Sequence, residues 1–195
     1  MSEFVPDVAL REGCRRWGGR RQGEFLAERA LRASRRRGVA RRAGEVPCRV
    51  EDRFVVELGP GTGPITMALL EMGIYEEDLF CLEQSARLVE HLRLRFPRLD
   101  VVQGNARELN ELLMERSGNV NAIVSSLPLR SFPESILVKI IDEMGMCLEP
   151  EGIVIQYTYD LRKSRSPLLG AFNRIDSKMV IGNFPPARVD VFEMN

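Results

Sequence analysis

One histidine, one tryptophan, three lysines and four cysteines in 195 residues are each low enough to remove a class of protein. Cys14, Cys48, Cys81 and Cys147 stand more than 30 residues apart and form no Cys-x-x-Cys pair. That spacing excludes a disulfide scaffold and a zinc site, so no metal is expected, and it reads as buried thiols in a reducing cytoplasm. No apolar run approaches the ~20 residues that cross a bilayer. The opening Met1-Ser2-Glu3-Phe4 has no signal-peptide core either. Formal charge cancels at 28 against 28, and 44% hydrophobic with 29% charged residues excludes a disordered or collagen-like chain. A chain of this length buries roughly 70% of its unfolded surface, so one compact core is the default.

What is present is unevenly placed. Residues 1–49 hold 13 arginines against 6 acids, whereas residues 50–195 hold 15 basic residues against 22 acids. The chain divides into a basic arm, 1–50, and an acidic domain, 51–195. A basic arm on an acidic body calls for an anionic partner, either a lipid surface or nucleic acid. Within the arm, Gly23 to Arg37 reads as an amphipathic helix. Leu26, Ala30 and Ala33 share one face, while Arg29, Arg32 and Arg36 share another. Such a helix covers an edge of the domain or lies among anionic headgroups. Trp17 is an interfacial anchor or simple packing.

From Phe54 strands and helices alternate. Short apolar strands are expected at 54–58, 79–83, 99–103, 120–125 and 153–157. Helices follow from Pro64 to Gly73, from about Ser85 to Phe96, through Leu109, Leu112 and Leu113 to Gly118, and from Pro133 through Ile136, Leu137, Ile140, Ile141 and Met144. Two further strands, about 178–181 and 187–192, read as an antiparallel hairpin at the sheet edge. Near-continuous apolar strands between helices predict an α/β fold, with a mainly parallel sheet covered on both faces.

The strongest local signal is Val55-Val56-Glu57-Leu58-Gly59-Pro60-Gly61-Thr62-Gly63. Glycines at 59, 61 and 63 turn the chain sharply from strand to helix and leave backbone bare for a ligand. A dinucleotide fingerprint needs a glycine at 64, where this chain has proline. Glu57, two residues before the first glycine, repels a pyrophosphate and suits a cationic ligand. S-adenosylmethionine, with ammonium and sulfonium charges, fits. Glu83, at the end of the second strand, can accept from both ribose hydroxyls, with Gln84 beside it. Gly104-Asn105-Ala106 ends the third strand, where an Asn side chain can meet an adenine edge.

On these residues the chain resembles the Rossmann-like S-adenosylmethionine-dependent methyltransferases over roughly residues 50–195. It looks most like the bacterial phospholipid N-methyltransferases that methylate phosphatidylethanolamine. Glu57 to Gly63, Val102 to Ala106, Ser125-Ser126-Leu127-Pro128-Leu129, Gln156-Tyr157-Thr158-Tyr159 and Asn183 to Val189 carry that closer likeness. It implies a seven-stranded sheet with an antiparallel edge strand, S-adenosylmethionine as cofactor and a phospholipid headgroup at an anionic membrane surface as partner. The protein would then be cytoplasmic and peripherally membrane-associated. Implied cofactor contacts are Glu57, Gly59, Gly61, Gly63, Glu83, Gln84, Gly104, Asn105, Ala106, Ser125 and Ser126, and the implied catalytic pair is Tyr157 and Tyr159. Either phenol can orient the amine, and either ring can hold a methylated ammonium by cation–π attraction.

The competing likeness is to rRNA adenine dimethylases, through Gln22-Gly23-Glu24-Phe25-Leu26 and the basic arm. Enzymes that methylate a flat base's amine carry Asn-Leu-Pro-Tyr or similar after the fourth strand, with an amide acceptor and an aromatic platform. This chain has Ser126 and Leu129 at those places, which an aliphatic amine tolerates and a base does not. A nucleic-acid acceptor is therefore the alternative, and a non-catalytic binding module of the same fold is the third reading. Arg130, Arg162, Lys163, Arg165 and Arg188 are candidates for a lipid phosphate. His91 reads as a surface residue.

Overall fold

The computed structural model describes residues 54–159, 166–180 and 186–195. The basic arm with its helix at 23–37 and Trp17, the phosphate candidates Arg162, Lys163 and Arg165, and Asn183 to Pro185 lie outside the described residues. The apolar runs become strands β1 (Val55–Leu58), β2 (Leu79–Glu83), β3 (Asp100–Gln103), β4 (Val120–Ser125) and β5 (Leu148–Thr158), followed by β6 (Phe172–Val180) and β7 (Ala187–Met194). Between them run helices α1 (Pro64–Glu71), α2 (Ala86–Arg95), α3 (Leu109–Leu113) and α4 (Glu134–Cys147).

All seven strands join one sheet in the order β3-β2-β1-β4-β5-β7-β6. Strands β1 to β5 pair in parallel, and β7 runs antiparallel between β5 and β6. The expected hairpin therefore stands at the sheet edge, with the reversed strand inside it. Side-chain alternation sends Val55, Cys81, Val124 and Ile155 to one face, under Leu69 of α1 and Val89 and Leu92 of α2. The other face buries Val56, Leu82, Ile123 and Val154 under Leu109 of α3 and Ile140, Ile141 and Met144 of α4.

Three elements depart from the expected bounds. Strand β5 starts at Leu148 rather than at 153, because Leu148 pairs with Val120 across an irregularity. Pro150 and Gly152 make that irregularity look like a turn in the sequence. Strand β6 starts at Phe172, not near 178. A register shift between Arg174 and Asp176 breaks the period-two pattern that would have revealed it. Helix α3 stops at Leu113, since Met114 takes a positive φ of 52° that an α-helix cannot accommodate.

The glycine turn is fixed by what packs beneath it. Gly63, at φ 81°, caps α1, and a Cβ there would meet the Phe96 ring at 2.7 Å and Leu92 at 3.0 Å. The loop thus rests directly on α2. Gly63→Ala combines a left-handed backbone with overpacking and should cost roughly 2–4 kcal/mol. Urea unfolding of the two proteins measures it.

Candidate functional site

The sheet order reverses between β1 and β4, the place where open α/β sheets leave a crevice at their carboxyl ends. A cleft of about 540 Å³ opens there. Gly59, Glu83, Gln84, Gly104, Asn105, Ala106 and Ser126 line it, so seven of the expected cofactor contacts meet at one surface. Glu57, Gly61, Gly63, Ser125, Tyr157 and Tyr159 are not on its walls.

Glu83 is the best-organised group in the cleft. It is 8% exposed, and its two oxygens accept from different backbone amides, Oε2 from Gly61 at 3.1 Å and Oε1 from Ser85 at 3.0 Å. The carboxylate is locked in orientation while each oxygen keeps a further lone pair. Gly61 has φ 61°, and a Cβ on it would meet nothing within 4 Å, so its backbone is open to a ligand. On the far side, the Asn105 side-chain oxygen accepts from Arg107 N at 3.0 Å and Arg107 Nε at 3.2 Å. With its oxygen committed, Asn105 presents its N–H groups to the cleft edge.

Glu57 sits behind the loop and is fully buried. Its Oε2 accepts from Thr66 Oγ1 at 2.7 Å and lies 3.6 Å from Cys81 Sγ, whereas Oε1 is buried with no partner. Burial pushes this carboxyl up to about 7, against the Thr66 and Cys81 hydrogen bonds that pull it down, and the charge of Glu83 adds to the rise. Cys81 beside it is raised well above the ordinary thiol range by the same burial and by Glu57. It is an inert thiol, not a nucleophile.

The loop after β4 forms the third wall. Ser126 N donates to Leu58 O at 3.0 Å, and Ser126 Oγ is buried without a partner. Leu127 packs so closely on the turn that a Cβ on Gly59 would reach its Cδ2 at 3.0 Å. Gln156 holds this loop from β5 by donating Nε2 to Leu127 O at 3.0 Å. Leu129 is 3% exposed and belongs to the core beneath α4. Ser125 is fully buried at the strand end, its Oγ 3.4 Å from the amide of Leu127.

Sequence reasoning missed the apolar wall, where Leu127, Pro128, Phe132, Ile136 and Ile140 face the polar groups across the cleft. The stripe on α4 was visible, but a stripe shows an inward face without saying what lies opposite. Thr66 was missed as well. One turn into α1, it reaches back to Glu57 only because the glycine turn folds the helix over the strand.

Tyr157 lies in β5 and Tyr159 one residue past its end. Their rings meet edge to face with centroids 5.2 Å apart. Tyr157 is a core residue at 8% exposure, and Tyr159 is accessible at 45%. Arg188 is 1% exposed and turned onto Asp190, with Nε at 2.9 Å and one terminal nitrogen at 2.7 Å from the same oxygen and its other terminal nitrogen buried without a partner. That pairing cancels the charge it would offer a phosphate. His91 lies half-buried on α2, away from the cleft.

Residues 55–152 match a family model described as a methyltransferase domain. An ornithine lipid N-methyltransferase from Singulisphaera acidiphila is 34% identical over 110 residues, covering 54% of this chain and 57% of that protein. A ribosomal RNA small subunit methyltransferase A from Brucella canis is 37% identical over 84 residues, 40% of this chain and 29% of that one. The matched part thus spans little more than half of the first relative and under a third of the second. Among solved structures, the N-methyltransferase NodS from Bradyrhizobium japonicum superposes with a TM-score of 0.61 at 14% identity, covering 87% of this chain and 86% of its own. The glycopeptide N-methyltransferase MtfA complexed with S-adenosylmethionine gives 0.60 at 15% identity, covering 89% and 94%. These two likenesses show the fold, which is the Rossmann-like sheet expected from the alternation of strands and helices.

Proposed function

The chain belongs to the methyltransferase domain family, and from that premise we propose that it moves a methyl group from S-adenosylmethionine to the amine of a lipid headgroup at a membrane surface. The cleft fits that cofactor. Glu83 presents two oriented acceptors for a ribose diol, and Gly61 leaves bare backbone beside it. The free N–H groups of Asn105 match the ring-nitrogen acceptors of adenine better than its exocyclic amine. Phe132, Ile136 and Ile140 offer an apolar wall for the flat base. Once bound, the cofactor supplies a methyl group activated by positive sulfur.

The chain's own residues align the acceptor and exclude water, so much of the acceleration is effective molarity. Ser126 is the polar group nearest to that task. Its buried, unpartnered hydroxyl can accept from an amine N–H and hold the nitrogen in line. Tyr159 gives an accessible ring beyond the strand end for the ammonium formed. The headgroup ammonium gives one proton to solvent before its nitrogen attacks, and the methylated nitrogen leaves as an ammonium.

The observation that carries the lipid reading is the state of Leu129. The place at which base-modifying enzymes put a stacking ring holds a core aliphatic residue here, and a platform worth about 1–3 kcal/mol per base is missing. The lipid-modifying relative supports the same acceptor class. The basic arm, with 13 arginines against 6 acids, suits an anionic surface.

Labelled S-adenosylmethionine should be incubated with vesicles of phosphatidylethanolamine, vesicles of ornithine lipid, and ribosomal RNA. Label is expected in lipid, with phosphatidylethanolamine the preferred arm. Label in RNA alone overturns the lipid assignment. Cofactor binding with no label in any arm makes this a binding module. Sedimentation with anionic vesicles should fall steeply with salt, since surface attraction is screened beyond about 8 Å at physiological ionic strength.

A further inference from the structure

A carboxyl that is fully buried, holds one oxygen on Thr66 and leaves the other without a partner is costly as an anion and cheap as an acid. The groups facing Glu57 are Thr66 from α1 and Cys81 and Glu83 from β2, and none of them is a cation. Among the described residues no basic nitrogen pairs with it. Glu57 stands two residues before Gly59, a wall of the cleft, and pairs across the sheet with Cys81, two residues before Glu83 on the same face of β2, so the Glu83 charge at the cleft reaches the Glu57 carboxyl. A positive ligand in that cleft therefore acts on the same carboxyl with the opposite sign.

We propose that Glu57 is the residue by which this site tells the charged methyl donor from its neutral-sulfur product, by giving up a proton when the donor binds and holding it when the product does. The proposal rests on the cofactor reading above. Donor and product share the same amino-acid and adenosine parts and differ by the sulfonium charge. Only the donor offers that charge to stabilise the ionised carboxyl, so its binding converts the buried acid to carboxylate and releases the proton to buffer. The neutral product has no preference between the two states of the carboxyl, so its binding releases no proton from Glu57. The site thereby favours donor over product above the titration of Glu57 and loses that preference below it.

With the carboxyl at about 7, its ionised fraction rises about tenfold between pH 6 and pH 8. The ratio of S-adenosylhomocysteine Kd to S-adenosylmethionine Kd should widen by up to about tenfold over that range, because a ligand indifferent to the two states shifts neither. The sulfonium lowers the donor's own amino-group titration, so Glu57→Gln, which keeps the ligands' titration and removes that of the carboxyl, supplies the baseline. Calorimetry in two buffers of different ionisation enthalpy should count more protons released by the donor than by the product near pH 6.5. Glu57→Gln should flatten the ratio. Thr66→Val, which removes a hydrogen bond that favours the anion, should move its midpoint upward and tests the idea even if the glutamine variant does not fold. Equal proton counts and a pH-independent ratio overturn the inference while leaving the cofactor reading intact. No heat with either ligand at any pH overturns the cofactor reading itself.

Discussion

Glu83→Ala should weaken S-adenosylmethionine binding at least about 100-fold. In the ribose role proposed for Glu83, two charge-assisted hydrogen bonds, each worth about 1.5–3 kcal/mol, would disappear together. A loss of 3 kcal/mol is already two decades in Kd. The effect reaches further than the missing oxygens. Gly61 N and Ser85 N both donate to this carboxylate, so alanine leaves two amides of the binding loops without acceptors and loosens the cradle. Glu83→Gln separates the two contributions. It keeps one acceptor oxygen but turns an N–H₂ toward a backbone amide or toward a ribose hydroxyl. Its affinity should fall between wild type and alanine, with a loss of about tenfold. Calorimetry reads the affinities, and a thermal melt without ligand shows that each variant is folded. Wild-type affinity in Glu83→Ala would remove the ribose role and, with it, the main support for the cofactor's orientation.

The largest effect on stability is expected on the opposite side of the sheet's switch point. Arg188→Leu should cost about 3–5 kcal/mol, since among the described residues it leaves Asp190, a carboxylate with no exposure, paired with the Arg174 guanidinium alone, at 3.9 Å. The pair lies in an unusually polar row for a sheet interior. Gln156 and Ser177 are the cross-strand neighbours of Asp190, and each has a buried atom with no partner, as do Arg188 and Asp190 themselves. Such a row is expensive to assemble, because imperfectly paired buried ions rarely recover their desolvation. A further outcome follows from this. Arg188→Leu combined with Asp190→Leu should be more stable than either single variant, since an apolar pair leaves no orphaned charge. Chemical denaturation of the four proteins completes the cycle. Single variants within about 0.5 kcal/mol of wild type, the usual scale for surface changes, would mean the pair is hydrated in solution.

Local chemistry alone determined the parallel core of this protein. Val55–Leu58, Leu79–Glu83 and Val120–Ser125 are buried at every position, so their near-continuous apolar runs carry the signature of strands covered on both sides. The three glycines and the acid at the end of β2 were equally legible, since a left-handed turn and a strand-end carboxylate are properties of a few adjacent residues. The edge was not. β6 hides behind a register shift, and a bulge erases the alternation that marks a strand. Only the tertiary structure decided that Glu57 stands behind the cleft with a bare oxygen, that α4 lends its wall to the site, and that Arg188 belongs to Asp190. Periodicity reports which way a side chain faces. What meets it there comes from strands and helices far along the chain, and a buried charge takes its chemistry from that meeting.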